Sequence, residues 1–264
     1  MLASVHIYPL KGCRAVDLDQ ALVEPWGLAG DRRWLLVDSD CRFVSQREHP
    51  ALARLVIAYG PGADITASSE GYPTARVAVP AESPELLKVT VWGTTVLAAA
   101  AAPEADAWFS DYLGEKVRLV YLDDPTRRAV DPDHVAVGDG YPLLLTNAGS
   151  LDQLGEWLTA GGDQPVPMNR FRPNVVVSGY EPWAEDRWRR IRIGSVSFRV
   201  AKPCDRCVVT TTDQTTGVRG GQPLRILAAH RRFGKKLIFG QNIIPDSPGL
   251  IRVGDPVEVT EHAS

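Results

Sequence analysis

The sequence predicts a mainly β protein with a few helices, of the α+β class. Two observations carry that expectation. Short segments rich in Val, Ile, Leu and Thr recur between turn-forming residues, and only three stretches combine helical spacing with suitable ends.

In the first half the strand segments are 2–8, 33–38, 54–59, 74–79 and 87–97. Turn residues at 30–31, 38–40, 60–63 and 70–73 punctuate them. Strands this short and this regularly spaced suit a barrel or sandwich. The first helix spans 103–113, after the alanine run 98–102. Pro103 suits a first helical position and Gly114 the residue past the end. Ala105, Trp108, Phe109 and Tyr112 then share one face. The second helix spans 148–159, with Leu151, Leu154, Trp157 and Leu158 inward and Gly161-Gly162 after it. The third starts at Pro223 and carries Leu224, Leu227 and Ala228.

Strands return at 173–178, 190–201, 207–212, 236–244 and 250–260, with a hairpin turn at Gly194-Ser195. A polar stretch from Asp123 to Arg128, followed by Asp131-Pro132-Asp133, reads as a loop. It divides the chain into a smaller β-rich unit, 1–122, and a second unit, 123–264.

Bulk composition narrows the function classes. The chain has 264 residues, 44% hydrophobic and 23% charged, which permits a substantial core. A net charge of −3 gives no support for nucleic-acid binding. Four cysteines are too few for a disulfide scaffold. With no apolar run of membrane-spanning length and no leader pattern, a cytoplasmic protein without membrane partners is expected.

Cys204 and Cys207 form C-x-x-C, a pattern open to several readings. A thioredoxin-like pair needs a helix after the first cysteine. Here Val208-Val209-Thr210-Thr211-Thr212 follows, a β-branched run that predicts a strand. Structural zinc needs four ligands, and neither a second C-x-x-C nor a histidine at finger spacing exists. Two buried, inert cysteines remain open, although Lys202, Asp205 and Arg206 argue for a polar, exposed loop. One thiolate on a soft metal also remains open, and the residue types do not name the metal. Other catalytic signatures are missing: no G-x-S-x-G, H-E-x-x-H, Walker loop or G-x-G-x-x-G. His6, His49, His134, His230 and His262 are scattered, and none pairs with a carboxylate at an informative spacing.

The run from Lys202 to Asp213, closing at Gly217, resembles the core motif of MOSC domains. Tyr8-Pro9-Leu10-Lys11-Gly12, Gly30-Asp31-Arg32-Arg33-Trp34 and Ser45-Gln46-Arg47-Glu48 resemble blocks of the MOSC N-terminal β-barrel domain. Asn169-Arg170-Phe171-Arg172-Pro173-Asn174 and Phe239-Gly240-Gln241-Asn242 resemble the MOSC domain proper. The functional type it most resembles is that of the mitochondrial amidoxime-reducing component and its bacterial relatives.

The resemblance implies a β-barrel MOSC domain packed on the smaller N-terminal domain. It implies a molybdenum–molybdopterin cofactor with Cys207 as the metal ligand and catalytic residue. By position it carries cofactor contacts onto Lys11, Gly12, Arg32, Gly140, Tyr141, Arg172, Asn174 and Asp205. Gly12, Gly140 and Asp205 replace hydroxyl residues, and a carboxylate at Asp205 calls for Arg206 or Arg32 to offset it. Arg47 joins the arginines suited to a phosphate, and Gln241 is a candidate donor to the pterin. Trp34 reads as core.

The implied activity is reduction of N-hydroxylated or N-oxide compounds by an oxidoreductase. Electrons come from a separate donor of ferredoxin or reductase type, because no iron–sulfur cluster is expected in this chain once its motif cysteines are engaged. The alternative is a cofactor carrier or sulfur-transfer protein using a cysteine persulfide.

Overall fold

A computed structural model describes residues 1–81, 84–127, 129–131, 134–135 and 140–263. Strands dominate, and three α-helices, Pro103–Leu113, Ala148–Ala160 and Leu224–His230, complete the described architecture. The main sheet is nine-stranded and combines distant parts of the chain. At its centre Val196–Asp205 and Lys236–Pro245 pair antiparallel. Lys236–Pro245 also pairs with Leu143–Asn147, which runs parallel to Val175–Val177.

The first strand, Leu2–Ile7, pairs with Val175–Val177, with Leu2 opposite Val177. The strand Gln20–Glu24 pairs with Gly249–Arg252. The boundary expected between 122 and 123 is therefore crossed by strands of the opening residues. Side-chain packing follows the sheets: Leu2, Val5, Ile7, Val23 and Leu28 share one core with Leu143, Val175, Phe198 and Ile243. A second core gathers Leu10, Trp34, Leu52, Ile57, Phe109 and Leu119. Trp34 is fully buried there, as its aromatic character predicts.

The helices form where the sequence places them. Pro103 opens the first, and Gly114 closes it at φ 71°, a left-handed conformation that glycine adopts without strain. Ala105 and Phe109 are buried, while Trp108 stacks on Tyr112 at 5.7 Å with the rings only partly covered. Asn147 caps the second helix by accepting from Gly149 N.

Several expectations need correction. Segment 87–97 is two strands, Leu86–Val91 and Thr94–Ala100, and the second absorbs most of the alanine run. The strands Gln20–Glu24, Ile65–Ser68, Arg118–Tyr121 and Leu143–Asn147 were not anticipated. Val208–Thr211 is a 3-10 turn rather than a strand. The Thr210 and Thr211 hydroxyls donate to the carbonyls of Cys207 and Val208, so side-chain bonding to nearby backbone overrides β-branched propensity. Within the expected polar loop, Pro125–Arg127 is a 3-10 turn and Ala129–Asp131 pairs with His134–Val135. Arg128, Pro132 and Asp133 lie outside the described residues. No helix among the described residues is long and apolar enough to cross a membrane.

Candidate functional site

A cleft of about 520 Å³ opens beside the motif from Cys204 to Cys207. It gathers residues from both halves: Lys11, Gly12, Arg32 and Arg47 from the first, Gly140, Tyr141, Arg172, Asn174, Asp205 and Cys207 from the second. Every expected site residue except Gln241 lines it.

Tyr8 lies behind two of the cleft's arginines. It is buried, and its hydroxyl donates to Pro173 O at 3.0 Å. Burial pushes its phenol up to about 12, with Arg172 and Arg32 pulling the other way. Both guanidiniums lie over its ring, Arg172 at 4.2 Å and Arg32 at 4.5 Å. Arg32 and Arg172 each sit in the left-handed region, at φ 52° and 55°. Such backbone costs energy for a non-glycine residue and clusters at ligand sites. Two arginines with left-handed backbone thus meet at one ring.

Around them a hydrogen-bonded lattice joins the halves. Arg32 donates to Asp31 and to Asn174 Oδ1, the latter at 3.2 Å. Asn174 also accepts from Leu144 N and donates to His6 O, so its amide positions Arg32 and the backbone. Arg172 donates to Cys13 O at 2.6 Å and Gln214 Oε1 at 3.3 Å. Gln46 donates to Gly12 O and exchanges bonds with Gln214. Lys11 is only 5% exposed and lies 5.1 Å over the Phe43 ring. Arg47 lies 4.4 Å over Trp92 at the rim.

The cysteine motif closes the second side. Lys202 to Asp205 is the end of the strand Val196–Asp205 rather than a free loop. Cys207 then heads the 3-10 turn, and its carbonyl accepts from Thr210 N. Both cysteines are reduced and partly exposed. Arg206 Nη1 donates to Cys204 Sγ at 2.9 Å, and its Nη2 donates to Phe171 O at 2.6 Å. Arg206 Nε is buried with no hydrogen-bond partner among the described residues. Lys202 lies 4.7 Å over Tyr141.

Three expectations shift on this geometry. Gln241 turns away from the cleft and donates to Asp186 Oδ1 at 2.8 Å, and its neighbour Asn242 lines the cleft instead. Asp205 lines the cleft, but its Oδ1 accepts from Leu237 N at 2.9 Å. Backbone N–H, rather than Arg206 or Arg32, meets that carboxylate. His6 does have a carboxylate partner: its Nδ1 lies 2.7 Å from Asp17 Oδ1, across paired strands. His49 likewise meets Glu115 at 3.0 Å. Neither spacing is informative along the chain, because both pairs depend on tertiary structure.

Lys202, Phe43, Trp92 and Phe171 line the site without having been expected there. Lys202 and Arg206 flank the cysteine motif and were legible as neighbours. Trp92 sits at φ 50° in a strand turn, and nothing local ties it to a cleft.

Two family models match this chain. The MOSC N-terminal beta barrel domain matches residues 1–116, and the MOSC domain matches residues 132–258. Mitochondrial amidoxime-reducing component 1 of Mus musculus is 32% identical across 97% of this chain and 81% of its own. This chain belongs to the amidoxime-reducing component family of MOSC proteins. The Homo sapiens component 1 is 30% identical over 97% of this chain and 82% of its own. A second member type, amidoxime reducing component 2 of Homo sapiens, is 31% identical over the same shares. A molybdenum cofactor sulfurase of Oryza sativa subsp. japonica is 31% identical over 90% of this chain, but only 32% of the sulfurase is covered. The match to the amidoxime-reducing components thus spans most of both proteins, whereas it covers only part of the longer sulfurase.

Proposed function

We propose that this family member is a molybdenum–pterin oxidoreductase that reduces N-hydroxylated or N-oxide compounds. The observation that carries the reading is the charge inventory of the cleft. Lys11, Arg32, Arg47, Arg172, Lys202 and Arg206 converge with two thiols, and among the described residues Asp205 is the only carboxylate lining it. Such a set suits a phosphate-bearing anion and a soft metal. The unpartnered, buried Nε of Arg206 fits a further acceptor at that point.

In this reading Cys207 holds the metal. Lys11, Arg32, Arg47 and Arg172 hold the anionic part. Tyr8 and Asn174 orient the arginines, and Asp205 fixes the strand end. Gly12 and Gly140, with no side chains, leave room for the bound group. The bound group supplies a redox-active metal that accepts oxygen. Overall, the N–O bond breaks, two electrons and two protons enter, and the oxygen leaves as water. A separate donor protein of ferredoxin or reductase type supplies the electrons. The aromatic rim of Phe43, Trp92 and Tyr141 gives a flat substrate an apolar surface and keeps bulk water from the interior.

The test is metal content. Protein made in a cofactor-synthesising host is expected to carry about one molybdenum per chain. Cys207→Ala loses it and Cys204→Ala keeps most of it. A molybdenum-free wild-type preparation from such a host overturns the reading. Dithionite-driven reduction of a benzamidoxime then separates a reductase from a carrier or sulfur-transfer protein, which holds the metal without turnover.

A further inference from the structure

Between Asp213 and Asp246 the chain carries no acidic residue. In the same span stand Arg219, Arg225, Arg231, Arg232, Lys235 and Lys236. Across the whole chain acidic residues outnumber basic ones, 32 to 29, so this run opposes the overall balance. The structure folds its densest part into one projection. Arg232 pairs with Leu237 and Phe233 with Lys236, making a tight hairpin on the edge of the long strand Lys236–Pro245.

The cations divide into foundation and face. Arg231 is buried. Its Nη2 meets Asp186 at 2.5 Å, and its guanidinium lies 4.1 Å over Trp183 and 5.0 Å over Phe233. Arg219 donates to the carbonyls of Gln46 and Arg47. Arg225, Arg232, Lys235 and Lys236 are exposed, and Phe233 between them is 56% exposed. Among the described residues, three acidic groups near this element are committed. Asp186 is held by Arg231 and Gln241, Asp163 by Gln222, and Asp205 by Leu237 N.

This projection stands directly beside the cysteine motif. Arg206 N donates to Leu237 O at 2.8 Å, and Asp205 pairs with Ile238. From the Asp205–Arg206 backbone to Arg232 is two strand spacings, roughly 10 Å at about 4.8 Å each. A partner seated on the hairpin is thus carried to the edge of the cleft.

We propose that the hairpin 231–237, with Arg225, is the docking face for an acidic electron-donor protein. The proposal rests on the reading of this chain as a reductase fed by a separate donor. An exposed aromatic ringed by cations combines an apolar anchor with a steering field. Electron-transfer encounters bury little surface, which suits a single hairpin. Each one-electron visit oxidises the donor's cluster by one unit and reduces the site by one, so two visits supply one turnover.

The test uses an acidic [2Fe–2S] ferredoxin as the probe and the double variant R232E/K236E. Wild-type protein is expected to bind the ferredoxin with an affinity that falls as salt rises. The variant is expected to bind it about tenfold or more weakly, with a flattened salt dependence. Its unfolding temperature and its dithionite-driven turnover stay at the wild-type level, since neither side chain touches the cleft. Phe233→Ala is expected to weaken binding without changing the salt slope. Unchanged ferredoxin binding in the double variant overturns the proposal, as does no binding by the wild type. Loss of binding to anionic phosphatidylglycerol vesicles, with ferredoxin binding intact, reassigns the face to a membrane surface. Binding needs no turnover, so a failed reductase assay and a failed docking assay are separable.

Discussion

Arg206 lies 2.9 Å from Cys204 Sγ, a contact that distinguishes the surroundings of two cysteines that the motif alone leaves equivalent. The guanidinium spans Cys204 and Phe171 O, tying the motif to the element that carries Arg172. Arg206→Met keeps much of the bulk and removes the donors. We expect a stability loss of about 1.5–3 kcal/mol and a clear fall in molybdenum content. Denaturant titration and metal analysis check both; full metal content in a destabilised variant would confine Arg206 to the fold.

Asp205 gives a second, separable prediction. Asp205→Asn preserves an oxygen for Leu237 N and removes the negative charge from the cleft. Stability should change by less than about 0.5 kcal/mol, with cofactor retention equal to or above wild type. Asp205→Ala abandons the backbone bond and should cost about 0.5–1.5 kcal/mol. If both variants lose the cofactor equally, Asp205 contacts it directly and the strand-end role is secondary.

Glu185 predicts a pH dependence. It is fully buried, bonded to Ser150 Oγ at 2.7 Å and Asn147 Nδ2 at 3.0 Å, and burial raises its pKa. The native state therefore holds this proton more tightly than the unfolded chain. Its contribution is full below the unfolded value, about 4.3, and is lost as pH rises through the raised native value. Asp213 acts oppositely. Thr216 N–H, then Thr215 N–H and the Thr216 hydroxyl, lower its pKa, so its contribution fades as pH falls through the native value. Unfolding midpoints between pH 4.5 and 7.5 should fall less steeply in Glu185→Gln than in wild type. Identical slopes would remove Glu185 as the cause.

Gly240 is the strongest backbone prediction. It sits at φ 79° within the strand Lys236–Pro245, and a Cβ there would come 2.6 Å from Leu145 O. Gly240→Ala must combine left-handed strain with a clash against a central strand. A loss of about 2 kcal/mol or more is expected, read by denaturant unfolding. The site would suffer with it, since Asn242 follows two residues later.

Helix positions were legible because their ends carry local chemistry, as Pro103 and Gly114 show. The strand Arg118–Tyr121 was hidden because it is buried throughout most of its length and shows no alternation. The site's charged residues were legible as motif positions. Their pairing was not: the two arginines over Tyr8 come from positions more than a hundred residues apart, and their left-handed backbone leaves no compositional trace. Gln241 was misplaced because strand alternation decides which of two adjacent amides faces the cleft, and the local irregularity at Gly240 obscures the phase.

The pairing of Leu2 with Val177 has a consequence for biogenesis. The strand Leu2–Ile7 leaves the ribosome well before its partner, which is made 175 residues later. At about 5–20 residues per second, that is a wait of roughly 10–35 s with an apolar strand edge unpaired. The two halves cannot mature in turn as independent beads. That early strand needs shelter until the later segments arrive, and synthesis speed becomes a determinant of yield.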